Sequence, residues 1–220
     1  MNLKIPKRVR NHVNPLSILH KNKIQKFPEK KPVIIDIGSY RGEFVEKWNQ
    51  KFPGKYNFIV FEIRVKFFEY LKEKFKEQKN IQVFDGDAAK SLKEMILDLR
   101  KDGIFVEKIF INFPDPWFKK KHHKRRLLKK DFLDELMDVL DEKTEIIFQT
   151  DQKKLFIETR EIIHDHKDFF GKRFFQPIKG IRTYWENMKI KEGDKIYRLK
   201  IWFKPENKKI HHKIIDWIKR

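Results

Sequence analysis

Residues 32–42 read Pro32-Val33-Ile34-Ile35-Asp36-Ile37-Gly38-Ser39-Tyr40-Arg41-Gly42. The apolar run Val33–Ile37 is closed by one glycine and followed shortly by another. Such a run suits a strand buried on both faces, and glycines just beyond it permit a tight turn and close approach of a ligand to the backbone. Tyr56–Phe61, Ile81–Phe84, Lys108–Phe113 and Glu145–Phe148 repeat the apolar pattern further along. Between them Val65, Phe68, Leu71 and Phe75 recur at helical spacing, as do Phe132, Leu133, Leu136, Met137 and Leu140. Strands alternating with amphipathic helices predict βαβ units, hence an α/β fold whose mainly parallel sheet carries helices on both faces. Ile196–Phe203 reads as a terminal strand.

The chain has 220 residues, enough for one such domain with short extensions. The expected division is a basic N-terminal arm over 1–31, lying on the domain or its substrate, a domain over 32–203, and a basic tail over 204–220. Hydrophobic residues make up 40% of the chain and include 21 Phe, so it is not of the disordered class. With 52 Lys+Arg against 32 Asp+Glu the formal net charge is +20, which points to a polyanionic partner such as nucleic acid. The absence of Cys excludes disulfides, thiolate zinc sites and a Cys nucleophile, and fits a reducing cytoplasm. The first residues lack the apolar core of a signal peptide, and no apolar run is long enough to cross a bilayer.

In open α/β sheets ligands bind beyond the carboxyl ends of the strands. The residues that bear chemistry cluster there. Asp36 and Gly38 lie at the first turn, Glu62 ends the second strand, and Asp87 follows the third. A carboxylate in the position of Glu62 accepts from both hydroxyls of a ribose, and Asp87 is placed to face an adenine amino group. Read alone, each is an ordinary turn acid. Three after successive strands indicate a nucleoside-containing cofactor. Asp36 would repel a pyrophosphate at the first turn, but suits the cationic methionine end of S-adenosylmethionine.

The most specific stretch runs from Asn112 to Arg126 and contains Pro114-Asp115-Pro116. Each proline fixes its own φ and pushes the preceding residue out of helix, so Asp115 is held rigidly where a strand ends. A rigid carboxylate at a ligand face suits a preorganised catalytic role. Lys119–Lys130 then carries eight Lys/Arg in twelve positions. Its position beside Asp115 favours phosphate binding next to the reaction centre, whereas elsewhere such a run would be a solvated loop. His122 and His123 lack further ligands at zinc spacing, so no metal is expected. Asp151 follows the fifth strand, and Thr183-Tyr184-Trp185-Glu186 is expected in a loop before the last one. A carboxylate accepts from both N1–H and the amino group of guanine, which makes Asp151 and Glu186 candidate guanine readers.

With these residues assembled, the chain resembles the bacterial tRNA (guanine-N7)-methyltransferase family. The resemblance runs from about Arg8 to Phe203, through RVRNHVNPLS, DIGSYRGEF, FEIR, GDAAKSL, NFPDPWFKKKHHKRRL, FQTD and TYWE. It implies a Rossmann-like class I methyltransferase fold, a mainly parallel seven-stranded sheet with one antiparallel strand. It further implies S-adenosylmethionine contacts at Asp36, Glu62, Asp87 and Asp115, and a catalytic role for Asp115. Substrate contacts would fall at Lys119, Asp151 and Thr183–Glu186, and RNA contacts along Lys121–Arg126, with methylation of a guanosine in the tRNA variable loop. Tyr40 replaces the middle glycine of the common turn pattern, and Phe118 stands where the family usually has Pro. The rival readings are a methyltransferase for another RNA base or another RNA, and a catalytically silent basic RNA-binding protein on the same fold.

Overall fold

The structure is a computed structural model that describes residues 13–18 and 21–204. Its strands are β1 (Val33–Ile37), β2 (Asn57–Glu62), β3 (Ile81–Asp85), β4 (Val106–Asn112), β5 (Glu145–Thr150), β6 (Phe169–Phe174) and β7 (Tyr197–Phe203). They form one seven-stranded sheet in the order β3-β2-β1-β4-β5-β7-β6. β1 pairs in parallel with β2 and β4, β2 with β3, and β4 with β5. β7 runs antiparallel to both β5 and β6.

The helices are α1 (Glu43–Lys51), α2 (Val65–Phe75), α3 (Ala88–Lys101), α4 (Lys130–Met137), α5 (Lys153–Asp165) and α6 (Tyr184–Lys191). Strand side chains alternate between two apolar layers, as the period of two requires. Ile34, Phe58, Val60, Phe110 and Ile147 face Phe44 and Trp48 of α1 and Leu71 and Phe75 of α2. Val33, Ile35, Ile59, Ile109 and Phe148 face Leu92 of α3, Phe132, Leu133 and Leu136 of α4, and Phe156 of α5. Each fully buried side chain of this kind contributes about 1.5–3 kcal/mol. Strand order reverses direction between β1 and β4, which opens a crevice beyond their carboxyl ends.

Several local expectations change. The buried face of α2 is Phe67, Leu71 and Phe75, while Val65, the first residue of the helix, is 61% exposed. β6 carries no clear sequence signal: only Phe169 is buried, and Lys172 and Arg173 are exposed, as befits an edge strand blunted by charge. β4 starts at Val106 and stops at Asn112, where Phe113 turns to φ 51°. Thr183–Glu186 is not a loop but the start of α6, since the Thr183 hydroxyl accepts the Glu186 amide at 3.0 Å and caps the helix.

The described part of the arm lies along the domain. Asn22 donates to the Asp85 carbonyl, Gln25 and Gln82 exchange hydrogen bonds, and Phe27 is buried in the core. Residues 1–12 of the expected arm and 205–220 of the expected tail lie outside the described residues.

Candidate active site

A cleft of about 1130 Å³ opens beyond the carboxyl ends of β1, β2 and β4. Asp36, Gly38, Glu62, Asp87 and Asp115 all line it, together with Tyr40, Asn112, Lys124, Arg125, Arg126 and Thr183-Tyr184-Trp185. Val13 and Leu16 of the arm reach its wall. The five acid and glycine positions expected around a cofactor thus share one cavity.

The turn after β1 explains why glycines stand there. Gly38 has φ 83°, its amide donates to the Phe61 carbonyl at 2.9 Å, and the space where a Cβ would point is open. Gly42 has φ 69°, and a Cβ on it would meet Leu71 and Phe75 at 2.7 Å, so the turn can close on α2 only through a glycine. Tyr40, between them, holds a left-handed φ of 54°.

Asp36 is 1% exposed. Its Oδ1 accepts from Asn112 Nδ2 at 3.1 Å, while its Oδ2 and the Asn112 Oδ1 are buried with no hydrogen-bond partner. Burial pushes the Asp36 carboxyl up to about 6, which the nearby Ser39 hydroxyl and the Asn112 amide partly offset and the charge of Glu62 reinforces. Two orphaned buried acceptors in the wall of a cavity are costly unless a donor arrives. An ammonium group has three donors and a positive charge, so the amino-acid end of S-adenosylmethionine fits this corner.

Glu62 is also 1% exposed. Its carboxylate accepts the amides of Tyr40 and Arg64 at 2.8 and 3.0 Å, and the Arg64 side chain from Nε and Nη2 at 2.7 Å each. These donors occupy the four acceptor sites that a carboxylate offers. Arg64, which sequence reasoning passed over inside FEIR, therefore occupies the place expected for ribose hydroxyls, stacked over Tyr40 and Phe67 at 5.1 and 4.8 Å. Asp87 caps α3 by accepting the Ala89 amide at 3.1 Å, and burial raises its pKa.

Asp115 stands between two residues with left-handed backbones, Phe113 at φ 51° and Trp117 at φ 42°. Bulky residues adopt that region only under constraint. The Pro-Asp-Pro segment is accordingly held from several sides. Arg126 donates from Nε to the Pro116 carbonyl at 2.8 Å, from Nη1 to Glu158 of α5 at 2.7 Å, and from Nη2 to His123 Nε2 at 3.1 Å. The Arg125 guanidinium lies 4.9 Å over the Trp117 ring, which also meets His122 edge-on.

The basic segment is thus not uniform. Lys120–Arg125 form a short 3-10 helix. Lys119, Lys121 and Lys124 are exposed, whereas the Arg126 side chain is only 10% exposed and fully engaged within the protein. Partial desolvation and the neighbouring cations Arg125, Lys121, Lys119 and Lys124 lower the pKa of His122.

Asp151 and Glu186 are not among the residues lining the cleft. Asp151 accepts from its neighbour Gln152 at 2.6 Å and lies 3.8 Å from Lys189 of α6. Glu186 is fully buried, its Oε1 paired with Arg198 at 2.5 Å and its Oε2 without a hydrogen-bond partner. What α6 presents to the cleft is Thr183, Tyr184 and Trp185. Among the described residues no group of three or more His, Asp or Glu is placed to hold a metal, and no helix is long and apolar enough to cross a membrane.

The antiparallel β7 inserted between β5 and β6, the glycine turn after β1 and the cleft beyond β1, β2 and β4 define a Rossmann-like methyltransferase of the S-adenosylmethionine-dependent class. Its fold is similar to that of the SAH-bound methyltransferase PaMTH1 of Podospora anserina, with a TM-score of 0.51 at 12% identity, over 78% of this chain and 71% of that one. Residues 30–210 match the family described as "Putative methyltransferase". The tRNA (guanine-N(7)-)-methyltransferase of Prochlorococcus marinus (strain MIT 9215) is 34% identical over 202 residues, covering 83% of this chain and 93% of that protein. The enzyme of the same name from Pediococcus pentosaceus is 31% identical over 187 residues, covering 81% and 85%. The chain belongs to the tRNA (guanine-N(7)-)-methyltransferase family.

Proposed function

We propose that the protein transfers a methyl group from S-adenosylmethionine to N7 of a guanosine in the tRNA variable loop. The observation that carries this reading is the convergence of Asp36, Glu62, Asp87 and the rigid Asp115 on one cleft whose rim bears Lys124. Bound there, S-adenosylmethionine supplies an electrophilic methyl on a sulfonium that leaves as a neutral thioether. Guanine N7 has an in-plane lone pair, so the new carbon–nitrogen bond forms without a base, and the positive charge passes to the purine.

The protein's task is therefore placement and electrostatics. Asp36 and Asn112 would hold the ammonium end, Glu62 the ribose in competition with Arg64, and Asp87 the adenine side. Asp115 offers a fixed negative charge to the purine as it becomes cationic. Tyr184 and Trp185 wall the cleft and exclude water. Lys119, Lys121 and Lys124 lead the RNA backbone to the cleft, with Arg125, His122 and His123 shaping the surface between them. Glu186 supports α6 through Arg198, and Asp151 stands beside α6, 3.8 Å from Lys189, as the remaining candidate for a guanine contact. The partner is tRNA, and the site of action is the cytoplasm.

Incubation with labelled S-adenosylmethionine and bulk tRNA, followed by nucleoside mass spectrometry, tests the reading. The expected product is 7-methylguanosine from the variable loop. Methylation of another base or another RNA would move the protein to a different substrate, and no incorporation would leave a silent RNA-binding protein.

A further inference from the structure

Tyr40 stands out on two counts. It occupies a left-handed turn position, φ 54°, that a glycine fills without strain. Its ring also reaches across the cleft mouth, meeting Phe67 at 4.4 Å and Tyr184 at 5.7 Å between centroids. The Arg41 guanidinium lies over both tyrosine rings, 4.9 Å from Tyr40 and 4.7 Å from Tyr184, and its Nε is buried with no hydrogen-bond partner. Two tyrosines and an arginine thus join the turn after β1 to the first residue of α6.

The same two elements are tied a second time. On α1, Lys47 donates to the Arg182 carbonyl at 3.4 Å and Lys51 to the Lys179 carbonyl at 2.7 Å. Ile178 and Ile181 pack into the apolar layer that holds Phe44 and Trp48 of α1. The segment that leads into α6 therefore rests on the helix that the cofactor turn starts. The Tyr40 amide, meanwhile, donates to Glu62, so the residue that touches Tyr184 also sets the carboxylate expected at the ribose.

We propose that Tyr40 is a positioning residue that couples cofactor binding to RNA binding, by clasping Tyr184 through Arg41. Strain at a functional turn persists when the surroundings over-determine it, and here the surroundings are the cation and rings of the clasp. Ordering the turn by a bound cofactor orders the α6 terminus that faces the target base, and the reverse holds by linkage. The inference rests on the tRNA reading above and adds a residue that the glycine pattern of this turn does not require.

The experiment measures the affinity of S-adenosylhomocysteine, which cannot react, with and without saturating tRNA. Wild-type protein is expected to bind it about fivefold or more tighter in the presence of tRNA. In Tyr40→Gly the turn geometry is kept or relaxed, so the protein folds, and the ratio is expected to fall to about one. Tyr184→Leu breaks the other half of the clasp and is expected to do the same. Tyr40→Phe keeps the ring and is expected to retain the wild-type ratio. A ratio of one in wild type, or an unchanged ratio in Tyr40→Gly, overturns the clasp while leaving tRNA methylation intact. A wild-type protein that does not methylate tRNA overturns both.

Discussion

The Arg126 guanidinium and the Glu158 carboxylate of α5 meet at 2.7 Å, and the same guanidinium holds the Pro116 carbonyl at 2.8 Å. One side chain thereby fastens the residue after Asp115 to a helix on the sheet's far layer. An arginine in a basic run here braces the protein itself.

Arg126→Gln is therefore expected to destabilise the protein by about 3–5 kcal/mol, the scale for breaking a mostly buried ion pair. Turnover should fall because Asp115 loses its support, while tRNA affinity and its salt slope stay near wild type. Denaturant unfolding with single-turnover kinetics checks this. A selective loss of tRNA affinity at unchanged stability would return Arg126 to the RNA surface.

Lys121 and Lys124 are exposed and carry the opposite expectation. Removing a cation that neutralises one phosphate should flatten the slope of log affinity against log salt by about 0.7–0.9. The double variant Lys121→Gln, Lys124→Gln should thus reduce the slope by about 1.5 without changing which base is methylated. Neutralising Lys208 and Lys209 removes the same charge elsewhere in the chain. Equal loss of affinity from both sets would show that net charge, not this segment, recruits RNA.

Asp36 sets a pH dependence. Its carboxyl is raised to about 6 by burial, so the ligand-free protein holds that proton more tightly than the unfolded chain does. Its ionisation costs stability as pH rises from about 4 to 6, and Asp36→Asn should stabilise the ligand-free protein at pH 7 by up to about 3 kcal/mol. A cationic ammonium binds the ionised form, so S-adenosylhomocysteine affinity should weaken as pH falls through about 6. Calorimetry from pH 5 to 8 is the check (roughly the range over which such a group titrates). A flat profile in wild type would exclude Asp36 from the cofactor contact.

For Asp115, the decisive contrast is between chemistry and binding. Asp115→Asn preserves shape and removes charge, and should lower the single-turnover rate by about 100-fold or more with tRNA affinity within a few-fold. A near wild-type rate would take Asp115 out of the chemical step.

At α6, Glu186→Ala leaves Arg198 buried and unpaired and should cost about 3–5 kcal/mol, whereas Thr183→Ala removes only the cap and should cost about 1 kcal/mol. Thermal unfolding separates the two. Asp151→Ala should leave cofactor affinity unchanged and reduce methylation. An Asp151→Ala enzyme with normal activity would place base selection elsewhere.

What was legible in the chain was whatever local pattern encodes. Val33–Ile37 and its companions announce buried parallel strands because a strand covered on both faces must be apolar throughout. Asp36, Glu62, Asp87 and Asp115 point to one cleft because each lies at or just beyond the carboxyl end of such a strand. β6 was hidden because an edge strand with one buried residue has no periodicity to read.

The roles of individual charged side chains were decided only by tertiary structure. Lys124 and Arg126 sit two positions apart in one basic run, yet one is exposed and the other is anchored to Glu158. Glu186 looks like a base reader until Arg198, on another element, takes its carboxylate. Arg64 carries no signal of its own in the sequence until its guanidinium folds back onto Glu62. Tyr40 looks like a departure from a glycine pattern until Tyr184 is found against it. Backbone period and strand-end position follow from neighbours in sequence, but the free energy of a charge or a ring depends on burial and on partners brought together by folding.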